Sequence, residues 1–257
     1  MRLPNYLIST IRSRCTSFGA AASECGESKP PPKPKPDWCR IEHMKRFVVL
    51  AIASVLALAG CATQEAPAVT DPNATKVAFY GDSYTLGTGA SAPAKRWSTV
   101  VSAERGWTEF NPSVNGLGFI NNRTVYGDGD LPSLVIDDDP DILFITMGLN
   151  DNFSYPSDRI DPQINDDFDR IEAGLPDARV IVVEPFWYTD ERADSVEIII
   201  NWVEEAANER GWEFIPGASH WIEGHPEWMA DDGLHPNDDG YAEMARRMNA
   251  ELVKLGL

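Results

Sequence analysis

Four short polar stretches hold the residues whose types and spacing could do chemistry. Ser83 lies in GDSYT, Gly116 in VNGLG, Asn150 in GLND, and His235 in DGLHPN, three residues after Asp232. A serine hydroxyl is a weak nucleophile near neutral pH, and an imidazole oriented by a carboxylate is a base that activates it. Amide groups can donate hydrogen bonds to the oxyanion that forms when serine attacks a carbonyl. The four stretches therefore predict acyl chemistry at a serine.

Short apolar runs that alternate with helix-like segments must position these stretches. The runs predict five strands, within residues 76–82, 107–114, 141–148, 179–186 and 212–218. Apolar residues three and four apart predict helices within residues 91–106, 163–175, 194–211 and 237–257. Continuously apolar runs such as DILFIT are typical of parallel strands, so we expect a three-layer α/β/α sandwich with a mainly parallel five-stranded sheet. Ligands of such sheets bind beyond the carboxyl ends of the strands, where the polar stretches fall.

In this order, each just after a predicted strand, the four stretches resemble the motif blocks of the SGNH, or GDSL-type, hydrolase family. The resemblance covers about residues 76–255. It implies a flavodoxin-like fold and a serine esterase that hydrolyses carboxylic esters. By the same resemblance, Ser83, His235 and Asp232 form the catalytic triad. Ser83, Gly116 and Asn150 supply the donors of the oxyanion hole.

Some of the other residues in the four stretches match the family pattern, and some differ from it. The resemblance implies that Asp82 and Asp151 hold the loops through backbone hydrogen bonds. Tyr84 stands where many members of the family have leucine, and Leu117-Gly118 stands where members often have a small polar pair. Both departures fall at the expected mouth of the site, so the resemblance does not extend to the substrate.

Aromatic residues near the strand ends give the main indication of substrate. We expect Tyr84, Trp187 and Trp221 to form a rim that stacks on sugar rings or on an apolar acyl group. The predicted substrate is a small-molecule or carbohydrate ester with an acetyl or another short acyl group. Two other functions stay open, namely acyl transfer to an acceptor other than water at the same site, and glycan binding by a surface protein without turnover.

A metal site is the competing interpretation of the histidine-rich segment. His220, His225, Asp231, Asp232 and His235 fall within sixteen residues and could hold a divalent ion. Their spacing matches no compact helical ligand pair, however, and a metal would leave GDSYT and GLND unexplained. Neither a GxxxxGK[ST] loop nor a GxGxxG motif opens a helix. We therefore expect no metal and no cofactor.

The N-terminal part of the chain predicts export. Residues 44–60 combine two basic residues with an apolar run too short to span a bilayer, as in a signal peptide. The following LAGC motif resembles the lipobox of bacterial lipoproteins, in which Cys61 is lipidated; an ordinary secretory signal is the alternative. Residues 1–43 form a leader whose composition predicts disorder. Either translation starts at Met44 and the leader is not synthesised, or the leader is a cytoplasmic extension. We expect residues 61–75 to form a flexible tether and residues 76–257 to form the hydrolase domain.

Charge and cysteine content limit the possible partners. The chain has 40 acidic and 22 basic residues and a net charge of −18, which disfavours nucleic acid and bare anionic membranes. The cysteines other than Cys61 lie in the leader, so no disulfide is expected in the domain. The acidic run 137–139 is expected to be a solvated turn. We expect a monomer that is secreted across the cytoplasmic membrane and lipid-anchored at the bacterial cell surface or envelope.

Overall fold

Five parallel strands form one central sheet. In the computed structural model, which describes Asp71 and residues 73–257, the strands are β1 Lys76–Tyr80, β2 Thr108–Phe110, β3 Ile142–Ile145, β4 Arg179–Val183 and β5 Glu213–Ile215. Their order across the sheet is β2-β1-β3-β4-β5, and each neighbouring pair is parallel. The five predicted strands and their parallel arrangement are confirmed, although each strand is shorter than the run that predicted it.

Helices cover both faces of the sheet. They are α1 Ser83–Leu86, α2 Trp97–Arg105, α3 Leu131–Asp138, α4 Ile160–Gly174, α5 Asp194–Glu209 and α6 Asp238–Lys254. Buried residues of α2 and α6 belong to one apolar cluster, and those of α3, α4 and most of α5 belong to a second. The domain is therefore the predicted three-layer α/β/α sandwich.

The side chains of β1 show how the sheet separates the two clusters. Val77 and Phe79 belong to the cluster with α2 and α6, whereas Ala78 and Tyr80 belong to the other, because successive side chains of a strand alternate between faces. All four residues of β3 are buried. Burying an aliphatic or phenyl side chain contributes about 1.5 to 3 kcal/mol, so the sheet is a stable base for the loops at its carboxyl edge.

Helix α3 corrects the prediction of a turn at residues 137–139. Pro132 occupies its first turn, where a missing N–H is tolerated, and the Asp130 carboxylate caps the helix by accepting the Ser133 amide at 3.0 Å. Leu131 and Val135 are buried in the second cluster. The acidic residues at the C-terminal end of the helix obscure this apolar pattern in the sequence.

The predictions for residues 1–60, for Cys61 and for most of the tether lie outside the described residues. They stay predictions. Among the helices of the described part of the chain, none is long and apolar enough to cross a membrane.

Candidate active site

The turn after β1 places Ser83 at the first residue of α1. Asp82 precedes the helix, and its Oδ1 accepts the Tyr84 amide at 3.0 Å as an N-cap. A Cβ at Gly81 would lie 2.5 Å from the Cβ of Thr85, so the close approach of the Thr85 side chain to this turn requires glycine. Ser83 itself is 4% exposed. The predicted nucleophile therefore lies beyond the carboxyl end of β1, on a turn that is fixed by packing.

Asp82 is buried and makes a second contact with the site. Its Oδ2 accepts a hydrogen bond from Asn150 Nδ2 at 3.3 Å. Burial raises the pKa of Asp82 to about 7, and the hydrogen bond from the Tyr84 amide opposes this rise. Asp82 thus contacts both the GDSYT turn and the GLND segment.

The loop after β2 wraps around the Asp151 carboxylate. Asp151 accepts the backbone amides of Phe119, Ile120 and Asn121 at 2.7, 2.9 and 3.3 Å. A Cβ at Gly118 would come within 2.6 Å of this carboxylate, so the loop can approach it only with glycine at that position. Burial raises the pKa of Asp151, and the three amides act in the opposite direction.

Asn150 joins this loop to the nucleophile turn. Its Nδ2 donates to the Leu117 carbonyl at 2.9 Å and to Asp82 at 3.3 Å. Gly116, next to Leu117, has a left-handed φ of 71°. Within the described residues, neither the Gly116 amide nor the Ser83 amide donates a hydrogen bond. Two backbone donors are therefore available at this edge, whereas Asn150 can donate to a substrate by exchanging its longer contact.

His235 pairs with Asp232 in the turn before α6. Asp232 Oδ2 lies 2.7 Å from His235 Nδ1, and Asp232 Oδ1 accepts the amides of Leu234 and His235, both at 2.9 Å. The hydrogen bond with His235 lowers the pKa of Asp232 to about 2, so this carboxylate is ionised near neutral pH. A carboxylate at Nδ1 leaves Nε2 as the nitrogen that can accept a proton.

Tyr84 connects the nucleophile turn with the histidine turn. Its hydroxyl donates to the Leu234 carbonyl at 2.7 Å, and its ring centroid lies 6.0 Å from that of His235. Since Ser83 precedes Tyr84 and His235 follows Leu234, the structure brings the first and fourth polar stretches together. The hydrogen bonds of Asn150 to Leu117 and to Asp82 bring the second and third stretches to the same place.

Comparison with known proteins places the chain in a family. Residues 79–243, which include all four stretches, match the GDSL-like Lipase/Acylhydrolase family. The chain belongs to this family. A GDSL lipase of Mycobacterium tuberculosis is 27% identical over 221 residues, which cover 82% of this chain and 95% of the relative. The predicted family is confirmed, and the protein is an enzyme of the GDSL-type esterase and lipase class.

Solved structures share the fold of this GDSL-like hydrolase. The psychrotrophic esterase EstA from Pseudoalteromonas sp. is 14% identical, with a TM-score of 0.55, and the match covers 70% of this chain and 98% of that one. The acetylxylan esterase Axe2 from Geobacillus stearothermophilus is 19% identical, with a TM-score of 0.54 and coverage of 69% and 93%. At these identities the likeness concerns the fold, and it confirms the predicted SGNH architecture.

The predicted aromatic rim of the hydrolase is wrong. Tyr84, Trp187 and Trp221 are 0%, 4% and 6% exposed and belong to the apolar cluster that includes α2 and α6. The ring centroid of Phe186 lies 5.8 Å from those of Tyr84 and Trp221. Because neighbouring side chains cover all three rings, none of them presents a free face to a sugar.

The histidines of the C-terminal segment do not converge on one point. His220, His225 and His235 each contact a different carboxylate, which lies within three residues of the histidine. In the part of the chain that the structure describes, no group of three His, Cys, Asp or Glu side chains is placed to hold a metal ion. The metal interpretation of this segment therefore has no geometric support.

A cavity beside the histidine turn was not identifiable from the sequence. It has a volume of about 820 Å³ and lies between residues 188–191, which follow β4, and residues 222–233. Asp190, Glu191 and Asp231 line it, and none of them forms an ion pair with a described lysine or arginine. Acidic residues on exposed loops are common, so their grouping becomes visible only in the fold.

Proposed function

We propose that this hydrolase is a serine esterase that removes acetyl or other short acyl groups from carbohydrate esters. Ser83 acts as the nucleophile, His235 as the base, and Asp232 as the group that orients the imidazole. The proposal is carried by the 2.7 Å contact between Asp232 and His235, in a turn that Tyr84 links to the nucleophile turn. This contact fixes the tautomer of the imidazole and leaves Nε2 for proton transfer.

Acylation is the first half of the proposed reaction. Ser83 Oγ attacks the ester carbonyl carbon while His235 Nε2 accepts the hydroxyl proton. The carbonyl oxygen becomes an oxyanion, which accepts hydrogen bonds from the Ser83 and Gly116 amides and from Asn150 Nδ2. Collapse of the tetrahedral intermediate breaks the bond to the alcohol oxygen, and that oxygen takes the proton from His235. The acyl group remains on Ser83.

Deacylation repeats these steps with water. His235 takes a proton from the water molecule whose oxygen attacks the acyl carbonyl, and the same three donors bind the second oxyanion. Collapse releases the carboxylic acid, and Ser83 regains its proton from His235. Asp232 stabilises the imidazolium in both halves because it stays ionised near neutral pH, with a pKa of about 2.

The cavity beside the histidine turn supports a carbohydrate as the alcohol part of the substrate. Its wall includes the apolar residues Ile222 and Met229 together with the carboxylates of Asp190, Glu191 and Asp231. Carboxylates accept hydrogen bonds from hydroxyl groups, and negative charge without a paired cation disfavours an anionic alcohol. An uncharged polyhydroxyl alcohol such as a sugar is compatible with both kinds of surface.

Turnover of the full chain on aryl esters from acetyl to octanoyl tests the proposed chemistry. We expect the highest activity with acetyl, and loss of activity in Ser83→Ala and His235→Ala. Matched controls are Ser102→Ala, whose buried hydroxyl makes no hydrogen bond, and His220→Ala, which lies outside the site. Turnover that survives Ser83→Ala, or a folded parent that is inactive on every ester, contradicts the proposal.

The same samples distinguish the two other functions. Acyl transfer would give an acylated product when a sugar or alcohol acceptor is supplied, with the same dependence on Ser83. A glycan-binding protein without turnover would bind glycans equally well as the parent and as Ser83→Ala, and the parent would hydrolyse no ester.

We also propose that a lipid on Cys61 anchors the protein to the bacterial envelope. The support is the sequence, in which a basic pair and a short apolar run precede LAGC. Labelled palmitate is expected to enter the full chain in a bacterial host and not its Cys61→Ser variant. Equal labelling of the two contradicts the anchor.

A further inference from the structure

Arg123 bridges helix α4 and the loop that carries Gly116. Its Nη1 donates to the Phe119 carbonyl at 2.8 Å and to Asp167 Oδ2 at 2.6 Å, and its Nη2 donates to Asp167 Oδ1 at 2.9 Å. The Asp167 side chain is 0% exposed. Two parallel N–H···O bonds to a buried carboxylate fix the plane of the guanidinium. The position of the Phe119 carbonyl is therefore fixed relative to α4.

The same carboxylate holds the strand that leads to the nucleophile. Tyr80 is the last residue of β1, and its hydroxyl donates to Asp167 Oδ2 at 2.5 Å. Ser83 follows three residues later. Asp167 is thus bonded directly to the strand before the nucleophile turn and, through Arg123, to the loop after β2. One buried group sets the position of the two loops relative to each other.

Phe119 is the residue through which the loop after β2 is held. Its amide donates to Asp151 at 2.7 Å, and its carbonyl accepts from Arg123. Its ring packs against those of Tyr80 and Phe168, with centroid distances of 6.2 and 6.0 Å. Loss of Arg123 frees the carbonyl but leaves the ring packed against Tyr80 and Phe168, so the effect is expected to be local to the loop.

Arg123 is also a cation beside two buried carboxylates, Asp167 and Asp151. Arg170 lies 4.0 Å from Asp167 as well, and Asp130 lies 3.7 Å from Arg123. Burial raises the pKa of Asp167, and the hydrogen bonds from Arg123 oppose that rise. Burial raises the pKa of Asp151 as well, and the loop amides and the charge of Arg123 lower it. Without Arg123, both carboxyl groups are expected to take up protons at a higher pH. A protonated Asp151 has less acceptor capacity for the loop amides.

We propose that Arg123 is a positioning residue, which sets the Gly116 amide relative to Ser83 by bridging Asp167 and the Phe119 carbonyl. This inference rests on the proposed function, because it concerns the proposed oxyanion hole. A displacement of about 1 Å at a catalytic group can lower turnover about 100-fold. The cavity that would bind the alcohol lies on other loops, so we expect kcat to fall without a matching change in KM.

The test compares full-length Arg123→Gln and Arg123→Lys with the parent on an aryl acetate. For Arg123→Gln we expect kcat to fall about 100-fold, with KM within about twofold, and the acid limb of the kcat profile to move to higher pH. Lysine lacks the bidentate fork, so Arg123→Lys is expected to recover only part of the activity. Hydrogen exchange at the amides of Phe119, Ile120 and Asn121 is expected to accelerate in Arg123→Gln, with the amides of α4 unchanged.

Arg210→Gln is the matched control. Arg210 also joins a carboxylate of α4, that of Asp169, to a backbone carbonyl, that of Ala206, and none of its hydrogen bonds reaches the loop after β2. We expect it to lower thermal stability without changing kcat. The positioning role is refuted if Arg123→Gln loses stability in the same way but keeps kcat and the slow exchange of the loop amides. A folded parent without turnover refutes the proposed function instead, and the amide exchange then decides the positioning role alone.

Discussion

The Asn150 side chain donates a 2.9 Å hydrogen bond to the Leu117 carbonyl and thereby ties the GLND segment to the loop that carries Gly116. Its second hydrogen bond, to Asp82, is longer at 3.3 Å. Because hydrogen bonds weaken with distance, an oxyanion can displace the longer one and leave the shorter one in place. Asn150 therefore combines a structural contact with a proposed catalytic donor.

Asn150→Ala is expected to lower kcat by about 100- to 1,000-fold, the usual effect of losing one oxyanion donor. Steady-state kinetics on an aryl acetate, together with thermal unfolding, separate the loss of a donor from a loss of folding. Asn152→Ala is the control, since Asn152 bonds to Ser195 and lies outside these contacts. A kcat for Asn150→Ala close to that of the control would remove Asn150 from the proposed oxyanion hole.

Asp232→Asn isolates the charge beside the imidazole. The asparagine oxygen can still accept the Leu234 and His235 amides, so the turn is expected to keep its shape. The imidazole loses its carboxylate, and kcat is expected to fall by up to about 10⁴-fold, as when a triad aspartate is replaced. Asp239→Asn, at an exposed position of α6 that does not line the cavity, serves as the charge-matched control in the same kinetic assay. Equal activity of the two variants would exclude Asp232 as the orienting carboxylate.

Asp82→Asn tests the effect of a buried carboxylate on stability. The pKa of Asp82 is about 7 in the folded chain and about 3.9 for an ordinary aspartate. Between these values the folded chain binds a proton that the unfolded chain has released, so this group makes the protein less stable as pH rises. The loss between about pH 5 and pH 8 is roughly 2 to 3 kcal/mol.

Asparagine does not titrate, and its oxygen can still accept the Tyr84 amide. We therefore expect the free energy of unfolding of Asp82→Asn, minus that of the parent, to increase by roughly 2 to 3 kcal/mol from pH 5 to pH 8. Urea unfolding of both proteins at the two pH values measures this difference, in which the contributions of all other titrating groups cancel. A difference that stays constant with pH would show that Asp82 is ionised throughout.

The acidic cavity predicts discrimination among alcohols by charge. Among acetyl esters of similar size, an anionic alcohol is expected to give a higher KM than a neutral sugar. Glu191→Gln combined with Asp231→Asn is expected to reduce the ratio of these two KM values a few-fold, since an exposed charge contributes about 0.2 to 1 kcal/mol. Glu205→Gln combined with Glu209→Gln, on the exposed side of α5, is the control for net charge. An equal effect of both pairs would mean that overall charge, not the cavity, sets the preference.

The sequence was sufficient for the features that local patterns determine. The apolar runs predicted the sheet, and the residues that follow β1 and β3 predicted that the Ser83 turn and the Asn150 segment come together. The catalytic roles of Ser83, Asn150 and His235 stay predictions. The aromatic rim failed because burial depends on contacts between distant segments, such as the Tyr84 ring against Phe186. The pair of Arg123 and Asp167, which are 44 residues apart, has no local signature either. Arg123 and Asp167 come together because α4 packs on the sheet.

The hydrogen bond from Tyr84 to Leu234 joins positions that are 150 residues apart. A ribosome therefore completes the proposed nucleophile turn long before it adds the proposed base. Until the segment around residue 235 has been synthesised and has folded back onto that turn, the growing chain holds a serine that nothing activates. On the proposed mechanism, the chain therefore gains catalytic competence only after nearly all of it has been synthesised.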